Sequence, residues 1–291
     1  MGRIEKDMKF AILHTGIRAD EKLIIEKVRE QKSVELELID ARKLILGQND
    51  EYFQKFDVIL ERCISSLRGN IAIDYLTNIG VNIVNNSKIA SICNDKFQTA
   101  TILKNEGVPH VKSILVFDEE GAKQAVDEMG GYPVVLKSRE GSWGRLISKL
   151  NDDDALEGLV DHRKYMGLQH QAFLIQEYVE KPGRDIRVFA IDGEAIAAIY
   201  RTTEHWITNT ARGAVATNCP ITDEISDICR KSSQAIGGGL LAFDLFETSS
   251  GLIVNEINHT MEFKNSEAPT GVSISGRIVE YCLKSALKAE R

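Results

Sequence analysis

Three polar side chains interrupt apolar sequence near the C-terminal end of the chain. Asp244 stands within the run 240–246, and Glu256 and Asn258 stand within 252–258, with a Thr-Ser-Ser-Gly turn between the runs. Two apolar runs around a short turn predict a β-hairpin. Side chains two residues apart on a strand share a face, so Glu256 and Asn258 point the same way, and Asp244 can join them from the partner strand. Such oxygens suit Mg²⁺ bound together with substrate phosphates, although the pattern taken alone is more typical of the solvated face of a half-exposed strand.

A lysine followed by a glycine-containing loop suits contact with phosphate. Lys137 ends the apolar run 132–137, and the loop 138–145 has glycines at 141 and 144. The ammonium supplies a point charge, and glycines let backbone N–H groups approach phosphate oxygens. The loop matches neither the Walker A pattern nor Gly-x-Gly-x-x-Gly. An ordinary exposed lysine is the alternative interpretation.

Two polar segments follow between residues 176 and 187. Gln176–Val179 comes after an apolar run and can offer backbone N–H and C=O groups to the edge of a base, or can be a plain strand-to-loop junction. Asp185 and Arg187 share a strand face. They suit a ribose hydroxyl and an anion, or they pair with their neighbours.

A cationic stretch lies between residues 201 and 212. Arg201 and Arg212, with Asn209 between them, suit stabilisation of negative charge on a phosphoryl or tetrahedral centre. Arginines at the rim of a site, with solvated heads, are the alternative. His205 and Trp206 can cap a substrate pocket, or can belong to the surface or the core.

Length and composition limit the class of protein. A chain of 291 residues is long enough for two or three subdomains, and 43% hydrophobic with 27% charged residues is typical of a soluble globular protein. A net charge of −7 argues against nucleic-acid binding. No run reaches the ~20 apolar residues of a membrane span, and the polar N-terminus lacks a signal peptide, so we expect a cytoplasmic protein that does not contact a membrane. Five scattered cysteines favour thiols in a reducing compartment over disulfides or a zinc site.

The apolar periodicity predicts the elements that position these residues. In the first part of the chain, strands alternate with helices, which predicts parallel βαβ units and a Rossmann-like half. The expected strands there are 9–14, 34–39, 56–60 and 81–84, and the expected helices are 19–31 and 71–79. A helix over 94–105, strands over 113–117 and 133–137, and a helix over 119–129 follow. Segments 174–178, 185–191 and 194–200 are expected to form strands of one larger antiparallel sheet, before helices over 223–237 and 274–289.

The order of these motifs resembles that of the ATP-grasp superfamily. The motifs are Asp95–Lys96, Val135–Lys137, Gly141–Arg145, Gln176–Val179 and the set Asp244, Glu256 and Asn258. Within it, the chain is similar to the ribosomal-protein-S6-modification (RimK-like) branch, and most to the LysX family of α-aminoadipate–LysW ligases. Segments 61–69, 141–145, 176–187, 205–213 and 254–266 carry this similarity. The resemblance implies an α/β ATP-grasp fold with a Rossmann-like N-terminal subdomain (1–88), a central subdomain (89–175) and a C-terminal subdomain with the Mg²⁺ site (176–291), which clasp ATP.

The resemblance also implies a role for each site residue. Those expected to bind ATP are Lys96 and Lys137 at the phosphates, the loop Gly141, Ser142, Trp143, Gly144 and Arg145 over the triphosphate, Gln176, Glu177, Tyr178 and Val179 at the adenine, and Asp185 near the ribose. Asp244, Glu256 and Asn258 would hold Mg²⁺, as two ions that Mn²⁺ can replace. Arg201, Asn209 and Arg212 would act in catalysis at the acyl phosphate. The expected substrate pocket comprises Arg187, Arg201, His205, Asn209, Asn265, Ser266, Thr270 and Gly271.

The family reaction is ATP-dependent amide formation. It implies phosphorylation of the C-terminal glutamate of a small acidic carrier protein, LysW, and attack on the acyl phosphate by the amino group of α-aminoadipate. Asn265–Ser266 matches the form of aminoadipate-using members, whereas glutamate-using members have Gly-Phe there. A glutamate-adding or dual-specificity enzyme, a ligase adding glutamate to another protein, a non-catalytic ATP-binding module and a structural assembly protein are the alternatives. The expected partners are the carrier, bound by cations among Arg62, Arg68, Lys181, Arg184, Arg187 and Lys264, and further copies of the chain in a dimer or tetramer.

Overall fold

The N-terminal part of the chain forms a parallel sheet in the order β2-β1-β3-β4. The computed structural model describes residues 7–64, 66–141, 146–167, 170–208 and 213–289. The strands of this sheet are β1 (Met8–His14), β2 (Val34–Asp40), β3 (Val58–Arg62) and β4 (Ile83–Val84). The helical segments are α1 (Ala19–Arg29), a 3-10 helix (Ala41–Lys43), α2 (Asp50–Gln54) and α3 (Ser66–Asn78). β1 and β3 are largely buried because both faces of the sheet are covered, as predicted for a Rossmann-like half.

Two helices, not one, lead into the central part of the chain. They are α4 (Ser87–Asn94) and α5 (Lys96–Asn105). The helix predicted over 94–105 corresponds to α5, and α4 was not predicted. Asp95 lies between them in an extended conformation, and its carboxylate accepts hydrogen bonds from the N–H groups of Phe97 and Gln98. This N-cap starts a new helix and makes Lys96 its first residue.

The central sheet is antiparallel, in the order β5-β8-β6-β7. Its elements are β5 (Ser113–Val116), α6 (Glu119–Glu128), β6 (Val134–Ser138), β7 (Ser148–Leu150), α7 (Asp153–Lys164) and β8 (Phe173–Glu177). We predicted that the strand now called β8 joins the larger sheet of the C-terminal part, and this is wrong. Residues 173–176 are all buried, as suits a strand between two others, and β8 pairs with β5 and β6. The predicted boundary between residues 175 and 176 therefore falls inside β8.

The C-terminal sheet has five antiparallel strands in the order β11-β10-β9-β12-β13. The strands are β9 (Arg184–Ile191), β10 (Glu194–Thr202), β11 (Val215–Asn218), β12 (Leu240–Thr248) and β13 (Gly251–Asn258), and the helices are α8 (Asp223–Ile236), α9 (Glu267–Thr270) and α10 (Ile274–Ala289). β12 and β13 form the predicted hairpin. One hydrophobic core joins this sheet to the N-terminal part, since Phe10 and Ile24 pack in a cluster with Phe189 and Ile278. Across the described ranges, no helix combines the length and apolar character that crossing a membrane requires.

Candidate active site

A cavity of about 250 Å³ lies where the three sheets meet. Its wall takes Glu61 from the N-terminal sheet, Lys137 from the central sheet, and Asp244 and Glu256 from the C-terminal hairpin. Ligands of α/β folds bind at the carboxyl ends of parallel strands, and Glu61 stands near that end of β3. The cavity is thus enclosed by all three parts of the chain.

The C-terminal sheet presents a row of charged residues to this cavity. In the strand register, Arg187 lies opposite Asp244 and Asp244 lies opposite Glu256, while Asn258 lies opposite Ala242. Opposite residues of antiparallel strands share a face, so the three expected metal ligands point to one side. The prediction that Glu256 and Asn258 share a face with Asp244 is confirmed.

Two arginines hold the Asp244 carboxylate. Nε of Arg187 donates to Oδ1 at 2.9 Å and Nη2 donates to Oδ2 at 3.0 Å, and Nη2 of Arg201 lies 3.1 Å from Oδ1. Burial pushes the pKa of Asp244 upward, but the two guanidinium groups outweigh it and lower the pKa to about 2. The carboxylate is therefore ionised at neutral pH and acts only as an acceptor.

Arg201 is itself fixed from behind by Asp185. Nε and Nη2 of Arg201 donate to the two oxygens of Asp185, each at 2.7 Å, and the hydroxyl of Thr208 donates to Oδ2 as well. Nζ of Lys181 donates to Thr208 Oγ1 at 3.0 Å. Both oxygens of Asp185 thus bond within the protein, and the carboxylate orients Arg201 at the cavity wall.

Two lysines lie beside the hairpin. Nζ of Lys137 donates to Oδ1 of Asn255 at 3.0 Å, and burial lowers the pKa of Lys137 to about 8. Nζ of Lys96 lies 3.5 Å from Oε1 of Glu256 and donates to the carbonyl oxygen of Gly141. Both ammonium groups face the region in front of the carboxylates, where a phosphate chain would be neutralised.

The end of β8 and the two residues that follow it offer a site for a flat base. Gln176, Glu177, Tyr178 and Val179 line the cavity, together with the apolar side chains of Val111, Val135, Ile147 and Phe246. Glu177 is anchored to Lys112: the N–H of Glu177 donates to the Lys112 carbonyl at 3.2 Å, and Oε1 accepts from the Lys112 N–H at 2.7 Å. The apolar walls and the fixed backbone suit a base that is read through main-chain groups.

The oxygen ligands fit a hard divalent cation that shares its coordination with a ligand. Within the described ranges, no group of three His, Cys, Asp or Glu side chains is close enough to form a metal cage. Mg²⁺ is usually held by one or two carboxylates plus substrate phosphates. Asp244, Glu256 and the amide oxygen of Asn258 on one face match that pattern.

The structure brings most of the predicted site residues to the cavity. Those that line it are Lys96, Lys137, Gly141, Gln176, Glu177, Tyr178, Val179, Asp185, Arg187, Arg201, Asp244, Glu256 and Asn258. His205, Asn265, Ser266, Thr270 and Gly271 are described but do not line it. The predictions for Ser142, Trp143, Gly144, Arg145, Asn209 and Arg212 lie outside the described residues.

Among the six cations expected to bind the carrier, Arg62 is buried, whereas Arg68 and Lys264 are exposed. Arg62 is 2% exposed and lies 2.9 Å from Glu21, Arg184 bonds to Glu247, and Lys181 and Arg187 line the cavity. Sequence patterning cannot tell a solvated arginine from one with a buried carboxylate partner, which here comes from a distant part of the chain.

Sequence reasoning also missed residues that line the cavity. Glu61, Lys181, Asn255, Thr260 and Glu262 are among them, and none received an individual role in the site from the sequence. For Glu61, the available signal was its position near the end of a predicted parallel strand.

Comparison with known proteins assigns the chain to a family. A model described as the RimK-like ATP-grasp domain matches residues 93–282, and a model described as the LysX preATP-grasp domain matches residues 10–92. The chain belongs to the RimK-like ATP-grasp family. ATP-grasp enzymes of this kind are ATP-dependent ligases, and so is this chain.

Individual relatives of this ATP-grasp ligase are similar over nearly their whole length. The α-aminoadipate–LysW ligase LysX of Sulfurisphaera tokodaii is 33% identical, over 94% of this chain and 97% of its own. The glutamate–LysW ligase ArgX of the same organism is 30% identical, over 94% of this chain and 98% of its own. A solved RimK domain ATP-grasp protein from Sphaerobacter thermophilus has the same fold, with a TM-score of 0.79 at 24% identity over 94% of this chain and 99% of its own.

Proposed function

We propose that this ligase joins α-aminoadipate to the C-terminal glutamate of a small acidic carrier protein, as a step of lysine biosynthesis. The γ-phosphoryl group of ATP is transferred to the glutamate γ-carboxylate, which gives an acyl phosphate and ADP. The α-amino group then forms the C–N bond as the C–O bond to phosphate breaks. A carboxylate is a poor electrophile, and phosphorylation gives it a leaving group. The observation that carries this proposal is the row of Asp244, Glu256 and Asn258 facing Lys96 and Lys137 across one cavity.

The nucleotide would lie between the central and C-terminal sheets. Gln176–Val179 would bind the adenine, Lys96 and Lys137 the phosphates, and the loop 141–145 would cover the triphosphate. The described contacts support this order, because Lys96 already bonds to Gly141 at the start of that loop.

The oxygens of Asp244, Glu256 and Asn258 would hold Mg²⁺. We propose two ions, which Mn²⁺ can replace. The metal would supply charge neutralisation between the β- and γ-phosphates. Arg201 and Arg187, fixed by the carboxylates of Asp185 and Asp244, would meet the charge that develops on the transferred group. Preorganised cations of this kind stabilise a transition state without a cost of reorientation. We place Asn209 and Arg212 with them in this proposal.

The choice of α-aminoadipate depends on Asn265–Ser266. Ser266 is 2% exposed, its N–H donates to the Phe263 carbonyl at 2.8 Å, and Asp20 accepts from the N–H groups of Phe263 and Lys264. The pair therefore belongs to a segment that begins at the cavity, with Thr260 and Glu262, and is fixed to helix α1 of the N-terminal part through Asp20. It would set the shape of the pocket from behind. The two amino acids differ by one methylene, which is worth about 1–3 kcal/mol.

Acceptor-dependent phosphate release tests this proposal. Purified enzyme, ATP, Mg²⁺ and an acidic carrier ending in glutamate are incubated with α-aminoadipate or with glutamate. We expect kcat/KM to favour α-aminoadipate by about 10-fold or more. Preference for glutamate would assign the enzyme to the alternative reaction. ATP binding that is indifferent to Mg²⁺, without phosphate release, would instead favour a non-catalytic module.

A further inference from the structure

Glu61 is a buried carboxylate in the cavity wall with no role in the nucleotide site. Its side chain stands near the end of β3 and is 5% exposed. Oε1 accepts from the N–H of Cys63 at 2.6 Å, and Oε2 accepts from the hydroxyl of Thr260 at 3.1 Å. Both donors are neutral, and a carboxylate has about four acceptor sites, so capacity for a further donor remains.

The fold makes specific room for this carboxylate. Gly69 on α3 faces Glu61, and a Cβ atom there would lie 2.7 Å from Oε1 and 3.2 Å from Cys63 Cβ. That approach is closer than real Cβ atoms adopt. α3 therefore passes this close to the carboxylate only because residue 69 has no side chain.

The charged neighbours of Glu61 are already paired with one another. Arg62 lies 2.9 Å from Glu21, Arg18 lies 3.0 Å from Glu21, and Arg18 also pairs with Glu262. These two cations and two anions balance. A buried charge is costly unless a partner compensates it, so the charge of Glu61 is available to a cationic group that enters the cavity.

The carboxylate is also near the metal ligands. Thr260, which donates to Glu61, follows Asn258 by two residues, and two residues of extended chain span at most about 7 Å. A cation bound to Glu61 is thus held next to the region where the proposed acyl phosphate forms.

We propose that Glu61 binds the α-ammonium group of the amino acid acceptor. This inference rests on the proposed function, because it identifies a residue that recognises the second substrate of that reaction. Glu61 acts by charge and position, and it adds no covalent step. Among the carboxylates of the cavity, Asp244 bonds to two arginines, Glu262 bonds to Arg18 and Glu256 lies near Lys96. The contacts that hold Glu61 are uncharged. Glu177 also accepts from an uncharged N–H, but it lies in the segment proposed to bind the adenine.

Glu61→Gln is the variant that isolates this charge. The glutamine carbonyl can accept from Cys63 and its amide can donate to the Thr260 hydroxyl, so the fold is retained. We expect KM for the amino acid to rise about 10-fold or more, as for loss of a hydrogen bond to a charged group, with KM for ATP unchanged. Glu247→Gln is the matched control, since it removes an ion-paired carboxylate that does not line the cavity.

The decisive experiment measures the affinity of the full-length enzyme for two competing ligands. One is the amino acid, and the other is the dicarboxylic acid that lacks the amino group. Wild type and Glu247→Gln should bind the amino acid more tightly, and Glu61→Gln should lose this preference. Gly69→Ala, which displaces the carboxylate without removing it, should lower the preference in the same way and serves if Glu61→Gln does not fold. Retention of the preference in these variants would overturn the assignment, whereas absence of amino-acid-dependent turnover in wild type would overturn the proposed function instead.

Discussion

Arg201 and Asp185 lie directly opposite each other on β10 and β9, and Nε and Nη2 of the arginine donate to the two carboxylate oxygens at 2.7 Å each. On the same face, Arg187 lies opposite Asp244, which lies opposite Glu256. Charged residues of both signs therefore cross four strands at the cavity wall, and the two acids Asp244 and Glu256 lie side by side on β12 and β13. The register of the sheet, more than the local sequence, places the arginines.

Asp185→Asn tests whether this pair orients Arg201. The change keeps the shape but leaves a buried guanidinium with a weaker partner, and breaking a buried ion pair costs about 3–5 kcal/mol. We expect the free energy of unfolding, measured in urea, to fall by about 3 kcal/mol. Turnover should fall on the order of 100-fold because Arg201, the cation that we propose acts in catalysis, is misplaced.

The control for this variant is Glu194→Gln. Glu194 pairs with Arg277 at 3.0 Å, but both side chains are exposed. Exposed pairs contribute about 0–1 kcal/mol, so stability and turnover should hardly change. If Asp185→Asn behaves like this control, Asp185 does not orient Arg201.

Glu256→Gln should abolish Mg²⁺-dependent formation of ADP. The change removes the charge of an expected metal ligand while keeping its size. Glu247→Gln is a suitable control, because Glu247 lies on β12 of the same hairpin and pairs with Arg184 instead of lining the cavity. A Mg²⁺ titration of ADP release measures both variants. Unchanged turnover in Glu256→Gln would refute the metal assignment.

Lys137 should make nucleotide binding depend on pH. Burial lowers its pKa from 10.5 to about 8. The charged form that attracts phosphate is lost as the pH rises through about 8, so the affinity for ATP should fall between about pH 7 and about pH 9. In the free protein the sign for stability is opposite: between about 8 and 10.5 the unfolded state binds more protons, so this group's contribution to the free energy of unfolding rises with pH there.

Calorimetric titration with ATP at several pH values measures this effect. Lys137→Met should bind ATP weakly at every pH and lose the step near pH 8. Lys123→Met, which removes an exposed lysine paired with Glu119, should keep it. A step that persists in Lys137→Met would assign the titration to another group.

Asn85 holds the start of β12 to the residue that follows β13. Its Nδ2 donates to the carbonyls of Leu240 and His259, each at 2.7 Å, and its Oδ1 accepts from the Leu240 N–H at 2.9 Å. Asn85→Ala leaves these buried backbone groups without partners, and we expect the free energy of unfolding to fall by about 3 kcal/mol. Asn94→Ala, which removes one bond to Asn70, should cost about 1 kcal/mol in the same urea experiment. An equal loss in both variants would contradict the role of Asn85.

The sequence predicted elements whose signals are local. Apolar alternation and the turn at residues 248–251 indicated the hairpin, and the spacing of Glu256 and Asn258 put both on one face, as the structure shows. β8 was assigned to the wrong sheet because a strand buried in either sheet would have the same apolar residues. The pattern of polar and apolar residues along a strand does not identify the strand with which it pairs.

The parts of the site that sequence missed depend on distant partners. The Thr260 hydroxyl that bonds to Glu61 lies 199 residues further along the chain. The carboxylate that pairs with the buried Arg62 is that of Glu21 on α1. Asn265–Ser266 was expected in the substrate pocket, but neither residue lines the cavity. Tertiary contacts of this kind follow from packing and have no local signature.

Intact-mass spectrometry of the carrier tests the central claim most directly. A small acidic carrier ending in glutamate is incubated with the enzyme, ATP and Mg²⁺, and with α-aminoadipate and glutamate in equal amounts. We predict that the carrier gains the mass of one α-aminoadipate less one water, and that fragmentation places it on the terminal glutamate. A carrier that gains glutamate, or that remains unmodified while ATP is hydrolysed, would contradict the proposal.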